Sequence, residues 1–395
     1  MNAVASLSND VPFAQEVVSA ILTGSITFKY FLENLINLIS HFLIMATISL
    51  CMITKNEEFF LEQCLNSVKD LVDEIIIVDT GSTDKTKEIA RKFTDNVFDF
   101  EWCDDFSVAR NESLKHATSD WILVLDADEI IIRTDHQKIK DIISKSAVYD
   151  KATVAYELPQ LHYTNNFMNH PDFVEIEDEN FKGFYVVSIV RLFKRSKNIF
   201  YDYCVHETIK PSLKKQQGKI MELLVPIHHY QELKGVGDVE EKQETYFKLS
   251  LKNIKNYPYY AKSYNDVGIY YGTYLKNLEK SLEYVSKGVE LEPENVNYVL
   301  NLSYRLRDLE RFGDAILLLK NFLKLRDDER VYRALGFCYF SQNVYEKALQ
   351  AYQKALKLGS PVKGQIEYNI NMIKARISAN NFKKEDKKIF FKTLK

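Results

Sequence analysis

The sequence predicts an α/β domain with a doubly wound mixed sheet, followed by an all-α array of helical repeats. Three observations predict it. Apolar runs alternate with helix-periodic segments from Ala46 onward, with short connections. The runs end in polar residues: Thr54-Lys55-Asn56-Glu57, Asp79-Thr80-Gly81-Ser82 and Asp126-Ala127-Asp128. From Tyr264 a helical pattern recurs about every 34 residues.

The elements follow in order. Residues 1–44 read as an N-terminal helical extension. Within it Leu32, Leu35, Ile36, Ile39, Phe42 and Leu43 keep helical spacing. Glu33, Asn34, Asn37 and His41 interrupt any run of 18 apolar residues, so no transmembrane segment is expected. The α/β domain is expected over 45–235. "ATISLCMI" reads as a buried strand and "EEFFLEQCLNSVKDL" as a helix. Ile75–Val78 is the next strand, with a helix from Thr83 or Asp84. "NVFDF" is a short strand, "DDFSVARNESLKHA" a loop entering a helix, and "WILVLDADE" a strand. "ATVAYELPQLHY", "YVVSIVRLFKR" and "VPIHHYQ" read as later strands, added antiparallel. A helical linker is expected over 236–263.

The repeats are expected over 264–395. Gly268, Ser303 and Gly336 are spaced by 35 and 33 residues, and Ser281, Ala315 and Ala348 by 34 and 33. Small residues at such places let paired helices approach closely. The pattern resembles tetratricopeptide repeats, closed by a helix over Gln365–Ile377. Two roles stay open for it: dimerisation or stability, and a groove for a peptide or protein.

Composition narrows the function. The 395 residues are 46% hydrophobic and 27% charged, with net charge −3, which argues against a nucleic-acid binder. The five cysteines show no metal spacing and read as reduced thiols of a cytoplasmic protein. GxxxxGK, GxGxxG after the first strand, and GxSxG are all absent, which argues against nucleoside triphosphatases, nicotinamide dehydrogenases and α/β-hydrolases.

The acidic set at the strand ends remains. Asp126 and Asp128 at a sheet's carboxyl edge suit Mg²⁺ or Mn²⁺, with water and phosphate oxygens as further ligands; a metal-free electrostatic loop is the alternative. Asp128 is the first choice for direct contact. Asp126 is expected to face ribose or a metal-bound water, and Glu129 to be a solvated neighbour. Asp79 can accept from a nucleobase N–H or a ribose hydroxyl, or can shape its turn with Ser82. Asn56 and Glu57 are candidates for the same nucleoside. Arg110, with Asn111 beside it, pairs either with a phosphate or with Asp104 or Asp105.

Taken in order, "SLCMITKNEE", "EIIIVDTGSTDKT", "DDFSVARN", "WILVLDADE", "RLFKR", "VHE" and "IHHY" resemble the family 2 nucleotide-sugar glycosyltransferases of the GT-A fold, over roughly residues 46–235. The resemblance implies inverting transfer from a nucleoside-diphosphate sugar, by family habit a UDP-sugar. It implies a base contact at Asp79, and metal and diphosphate contacts at Asp126 and Asp128. His229 is implied as a further metal or phosphate contact, with His228 its rival. Ile53, Lys55, Ser82 and Ala127 complete the expected donor-binding set. The layout also resembles the peptide S-glycosyltransferases of bacteriocin clusters. That implies a hexose moved to a Cys thiol or Ser hydroxyl of a peptide held by the repeats. Two alternatives are an enzyme acting on a cell-envelope glycan or lipopolysaccharide core, and an inactive repeat scaffold. Glu207 of "VHE" is the expected general base and His206 the second choice; Asp128 completes the catalytic set. A homodimer is a further expectation.

Overall fold

The computed structural model describes residues 46–148, 152–165, 173–230 and 239–393. The expected N-terminal extension lies outside the described residues. Strand β1 (Ile48–Thr54) is buried almost throughout, because parallel neighbours flank it on both sides. These are β2 (Glu74–Asp79) and β4 (Trp121–Val124), with β3 (Val97–Asp99) outside β2. Successive residues of β1 face opposite layers, as a pleat requires. Ile48, Leu50 and Met52 pack with Leu61, Cys64, Leu65 and Val68 of α1 (Leu61–Val68). Cys51 faces a second core with Ile76, Ile122 and Val124.

The second half of the sheet curls away antiparallel. β8 (Gly183–Lys194) pairs with β4 on one side and β6 (Thr153–Thr164) on the other. Short β7 (Val174–Glu175) and β9 (Lys219–Glu222) attach to β8 and β6. β10 (Ile227–His229) runs parallel to β6, and two-residue β5 (Glu129–Ile130) closes the row antiparallel to β10. Helices α2 (Thr86–Ala90), α3 (Phe106–His116), α4 (His136–Val148) and α5 (Lys210–Lys215) fill the connections. The helix after β2 starts at Thr86 rather than Thr83 or Asp84. Asp84 accepts from the Thr86 N–H at 2.9 Å, and this turn delays the helix.

The C-terminal part is all helical. α6 (Val239–Asn256) leads into the pairs α7 (Ala261–Thr273) with α8 (Leu278–Leu291), α9 (Val296–Asp308) with α10 (Phe312–Phe322), and α11 (Glu329–Ser341) with α12 (Tyr345–Lys357). α13 (Lys363–Thr393) closes the array, longer than the expected Gln365–Ile377. One core runs from Val285 on α8 to Ala351 on α12, so neighbouring repeats share buried surface. Among the described residues no helix is long and apolar enough to cross a membrane.

The first helices of this array grip a loop of the sheet domain. Asn253 on α6 accepts from the Cys204 N–H at 2.6 Å and donates to the Val205 carbonyl at 3.1 Å. Tyr203, held at φ +79°, stacks on Tyr260 with centroids 3.6 Å apart. Asp266 on α7 lies 3.1 Å from His206 Nε2.

Close approach of α7 and α8 depends on Gly268. A β-carbon there would sit 2.6 Å from Val285 Cγ1 and 3.0 Å from the Ser281 carbonyl oxygen. Ser281 also donates to the Gly268 carbonyl at 2.6 Å, which locks the pair. Gly268→Val is expected to lower unfolding stability by about 1–3 kcal/mol through overpacking. Gly313→Ala, where a β-carbon meets nothing within 4 Å, is expected to change little. Urea unfolding of the two variants checks the contrast.

Candidate active site

Strands β1, β2 and β4 deliver their carboxyl ends to one edge of the sheet. The turns after β1 and β2 interlock there. The Asn56 N–H donates to Ser82 Oγ at 2.9 Å, and the Thr83 N–H donates to Asn56 Oδ1 at 2.8 Å. Asn56 takes φ +56°, a left-handed conformation that asparagine tolerates. Asp79 is buried, and its Oδ1 accepts from the Gly81 and Ser82 N–H groups at 3.1 and 2.8 Å. Asp79 therefore shapes its turn, with the other oxygen at 3.4 Å from Thr54 Oγ1. Lys55 is exposed, Ile53 and Glu57 are half-buried, and Ala127 is buried.

The acidic turn after β4 rests on two buried arginines. Arg110 on α3 donates through Nη2 to Asp126 Oδ1 at 2.5 Å and through Nε to Glu207 Oε1 at 3.0 Å. Arg191 on β8 donates through Nη2 to Asp126 Oδ2 at 2.8 Å and to Glu129 Oε1 at 2.7 Å. Glu129 Oε2 accepts from the Asp126 N–H at 2.8 Å, which ties the turn to itself. Gln160 Nε2 donates to Glu129 Oε1. Two expectations are corrected here, the acidic partner of Arg110 and the exposure of Glu129. Arg110 pairs with neither Asp104 nor Asp105. Asp105 instead caps α3 by accepting from the Val108 N–H at 3.2 Å. Asp126, expected in the metal set, gives both oxygens to arginines. Glu129 is fully buried and paired, because Arg191 reaches it from a strand three places along the sheet. Asn111, expected in the donor set, spends its carboxamide on the Tyr201 N–H and carbonyl, at 2.7 and 2.9 Å.

Asp128 points the other way. Its Oδ2 lies 3.3 Å from His229 Nε2. His228, on the opposite face of β10, meets Tyr163 Oη at 2.7 Å instead. An oxygen and an imidazole nitrogen at this separation suit a Mg²⁺ or Mn²⁺ ion whose other ligands are diphosphate and water. Among the described residues no three His, Cys, Asp or Glu side chains converge as a ready-made cage. Glu207 is mostly buried beside Arg110, whereas His206, at φ +55°, turns to Asp266 of the helical array.

Comparison with known proteins adds the family. Residues 49–200 match the model of glycosyl transferase family 2. Residues 49–200 are a family 2 glycosyltransferase domain. A tetratricopeptide-repeat-containing protein of Synechococcus elongatus is 42% identical over 133 residues, 32% of this chain and 33% of that protein. The SPbeta prophage-derived glycosyltransferase SunS of Bacillus subtilis is 42% identical over 98 residues, 24% of this chain and 23% of that protein. The chain thus spans a third or less of the length of these curated relatives. Residues 1–349 of S. aureus TarS share 15% identity with a TM-score of 0.37, over 70% of this chain and 89% of that one.

Within the glycosyltransferase domain, electrostatics follow the geometry. Burial alone would raise the Asp126 carboxyl. Arg110 and then Arg191 overcome this and hold it far below the ordinary carboxylate range. Burial pushes Glu129 up, against the pull of Arg191. Burial disfavours a charged His229, but Asp128 beside it outweighs that and raises the ring's pKa. Burial pushes the Tyr201 hydroxyl, under Arg110, up to about 12. Sequence reasoning missed Arg191, Gln160 and His162. The available signal was a charge inside the apolar run "VVSIVRLFK" and two polar residues at period-two spacing in "LPQLHY".

Arg191→Met is expected to cost about 3–5 kcal/mol, because Glu129 is left buried and uncompensated. Adding Glu129→Gln is expected to recover part of the loss, read from chemical denaturation of the single and double variants. Asp126 also sets an acid limb. Its folded value lies below the unfolded one, so its contribution is complete above roughly pH 3.9. It is lost as pH falls from there through the folded value. Asp126→Asn is expected to flatten that limb in thermal melts taken across the acid range.

Proposed function

We propose that this chain is an inverting glycosyltransferase that moves a hexose from a UDP-sugar to a Cys thiol or Ser hydroxyl of a peptide. One observation carries the reading. Asp128, inside the family 2 match, lies 3.3 Å from His229, which follows that match, beside an acidic turn held by two buried arginines. Arg110 and Arg191 face three carboxylates, Asp126, Glu129 and Glu207, and Asp128 adds a fourth. A diphosphate is repelled by such an edge without a cation. Asp128 and His229 would hold Mg²⁺ or Mn²⁺, which supplies neutralising charge to the departing diphosphate.

The chain's own residues do the rest. The acceptor attacks the anomeric carbon from the face opposite the diphosphate. The new bond to sulfur or oxygen forms as the bond to the phosphate oxygen breaks. Glu207, held by Arg110 Nε, takes the proton of a hydroxyl acceptor. A thiol, with a pKa of roughly 8.5, needs that help less. Asp79, Asn56 and Ser82 border the nucleoside side, and Lys55 lies exposed near them. The resemblance of "DFSVARN" and "VHE" to the peptide S-glycosyltransferases favours a peptide acceptor. The helical array lies beside this loop through His206 and Asp266, which supports a role in presenting that peptide.

The test is mass spectrometry of Cys peptides, their Ser variants and glycan acceptors with a panel of nucleotide sugars. Sugar transfer to the peptide supports the reading. Transfer to glycans alone supports the cell-envelope alternative, and no turnover of any donor supports an inactive scaffold. Asp128→Asn and EDTA are each expected to abolish transfer, and full activity in EDTA removes the metal. Glu207→Gln is expected to cost about 10²–10⁴-fold on the Ser peptide, and less on the Cys peptide. Equal losses on both would sink the assigned role of Glu207.

A further inference from the structure

We propose that Asn253 and Tyr260 are positioning residues for Glu207, so that the first helices of the array belong to the machinery that removes the acceptor proton. This rests on the reading of Glu207 as the base for a hydroxyl acceptor.

Glu207 stands near the end of a closed loop. The loop is pinched at its base, where the Asp202 N–H donates to the Thr208 carbonyl at 3.0 Å and the Thr208 N–H donates to the Asp202 carbonyl at 3.2 Å. Between these anchors the backbone is left-handed at Tyr203 and His206, with φ +79° and +55°. A β-carbon disfavours that region, and neither residue is glycine or asparagine. The loop therefore does not select this path from its own sequence, and its surroundings must hold it.

The sheet domain holds the first part. The Phe106 N–H donates to the Cys204 carbonyl at 2.9 Å, and Cys204 Sγ meets Asp105 at 3.0 Å. The array takes the residues that lead directly into Glu207. Asn253 is fully buried and spends both ends of its carboxamide on this backbone. Its Oδ1 accepts from the Cys204 N–H at 2.6 Å, and its Nδ2 donates to the Val205 carbonyl at 3.1 Å. Tyr260, just before α7, donates through Oη to the His206 carbonyl at 3.3 Å. That carbonyl and the Glu207 N–H belong to one planar peptide unit, so fixing it sets the direction in which the Glu207 side chain departs. The Tyr260 ring stacks on Tyr203, with centroids 3.6 Å apart and planes 4° apart, which keeps the hydroxyl in place. Arg110 Nε meets Glu207 Oε1 at 3.0 Å. The aim of the backbone then decides where Oε2 points. A base must lie within hydrogen-bond reach of the proton it takes, and a small displacement from that geometry is costly.

The test uses the full chain, with kcat and KM measured on a Ser peptide and its Cys variant with one donor. The ratio of the two kcat values does not depend on how much of the protein is folded, so a merely structural role leaves it unmoved. Asn253→Ala is expected to lower kcat on the Ser peptide roughly 10–100-fold, to lower it less on the Cys peptide, and to leave the donor KM unchanged. Tyr260→Phe removes one hydroxyl and keeps the stacked ring. It is expected to shift the ratio in the same direction by a smaller amount, and it decides alone if Asn253→Ala does not fold. In a Glu207→Gln background neither substitution is expected to shift the ratio further, because both act through the same carboxylate. Equal losses on the two peptides overturn the proposal, provided Glu207→Gln itself separates them. If the Ser peptide receives no sugar, or receives it unchanged in Glu207→Gln, the reading of Glu207 as base fails and this inference falls with it.

Discussion

Arg191 donates through one nitrogen to both Asp126 and Glu129, and the acidic turn keeps its shape through that contact. The turn carries two carboxylates within four residues that are largely shielded from water, Asp128 and Glu129. Without a guanidinium between Asp126 and Glu129 their repulsion would open the segment. With it, Asp126 is pulled inward toward the arginines, and Asp128 is directed to the other side, toward His229. Arg110 extends the same lattice to Glu207, which lies 97 residues along the chain. The two oxygens of Asp126 thus couple the leaving-group side of the site to the residue proposed as base.

The helical array completes this lattice from outside. Glu207 follows a loop with left-handed backbone at Tyr203 and His206. Such conformations persist only where the surroundings hold them. Asn253 grips the loop backbone, Tyr260 stacks on Tyr203 and donates to the His206 carbonyl at 3.3 Å, and Asp266 pairs with His206. α6 and α7 are therefore structural neighbours of the site, whatever the later repeats bind. The loop's sheet-side anchors are Asp105, which meets Cys204 Sγ at 3.0 Å, and Asn111, which clamps Tyr201. The helical array also meets residues 103–106, where Lys252 Nζ donates to the Cys103 and Asp104 carbonyls at 3.1 and 2.8 Å.

Much of this was legible in the sequence, and the reason is local physics. β4 is an unbroken apolar run, and β1 is apolar apart from the buried Ser49 and Thr54, because sheet neighbours and packed helices shield both. The spacing of Gly268, Ser303 and Gly336 reports close helix approach, as the Gly268–Val285 contact illustrates. What stayed illegible is partner choice between distant positions. Glu129 reads as solvated because its charge is visible and Arg191, 62 residues later, is not linked to it by any spacing rule. Arg110 reads as a partner for adjacent Asp104 or Asp105, yet Asp105 is committed to capping α3. Asn111 reads as a ligand contact because its clamp on Tyr201 depends on a loop 90 residues away.

The same charges bear on the donor in the proposed site. Among the described residues Arg110 and Arg191 meet three carboxylates, Asp126, Glu129 and Glu207. At 4 Å, like charges near a protein surface repel by about 4 kcal/mol. A diphosphate approaching the bare edge meets that repulsion. Asp128 and His229 are the residues that would hold a divalent cation, whose charge would offset that repulsion. A proton on His229 is the cation's natural competitor, since Asp128 raises the ring's pKa by the same attraction. Arg191 thus holds both ends of the turn, Asp126 and Glu129, through one nitrogen.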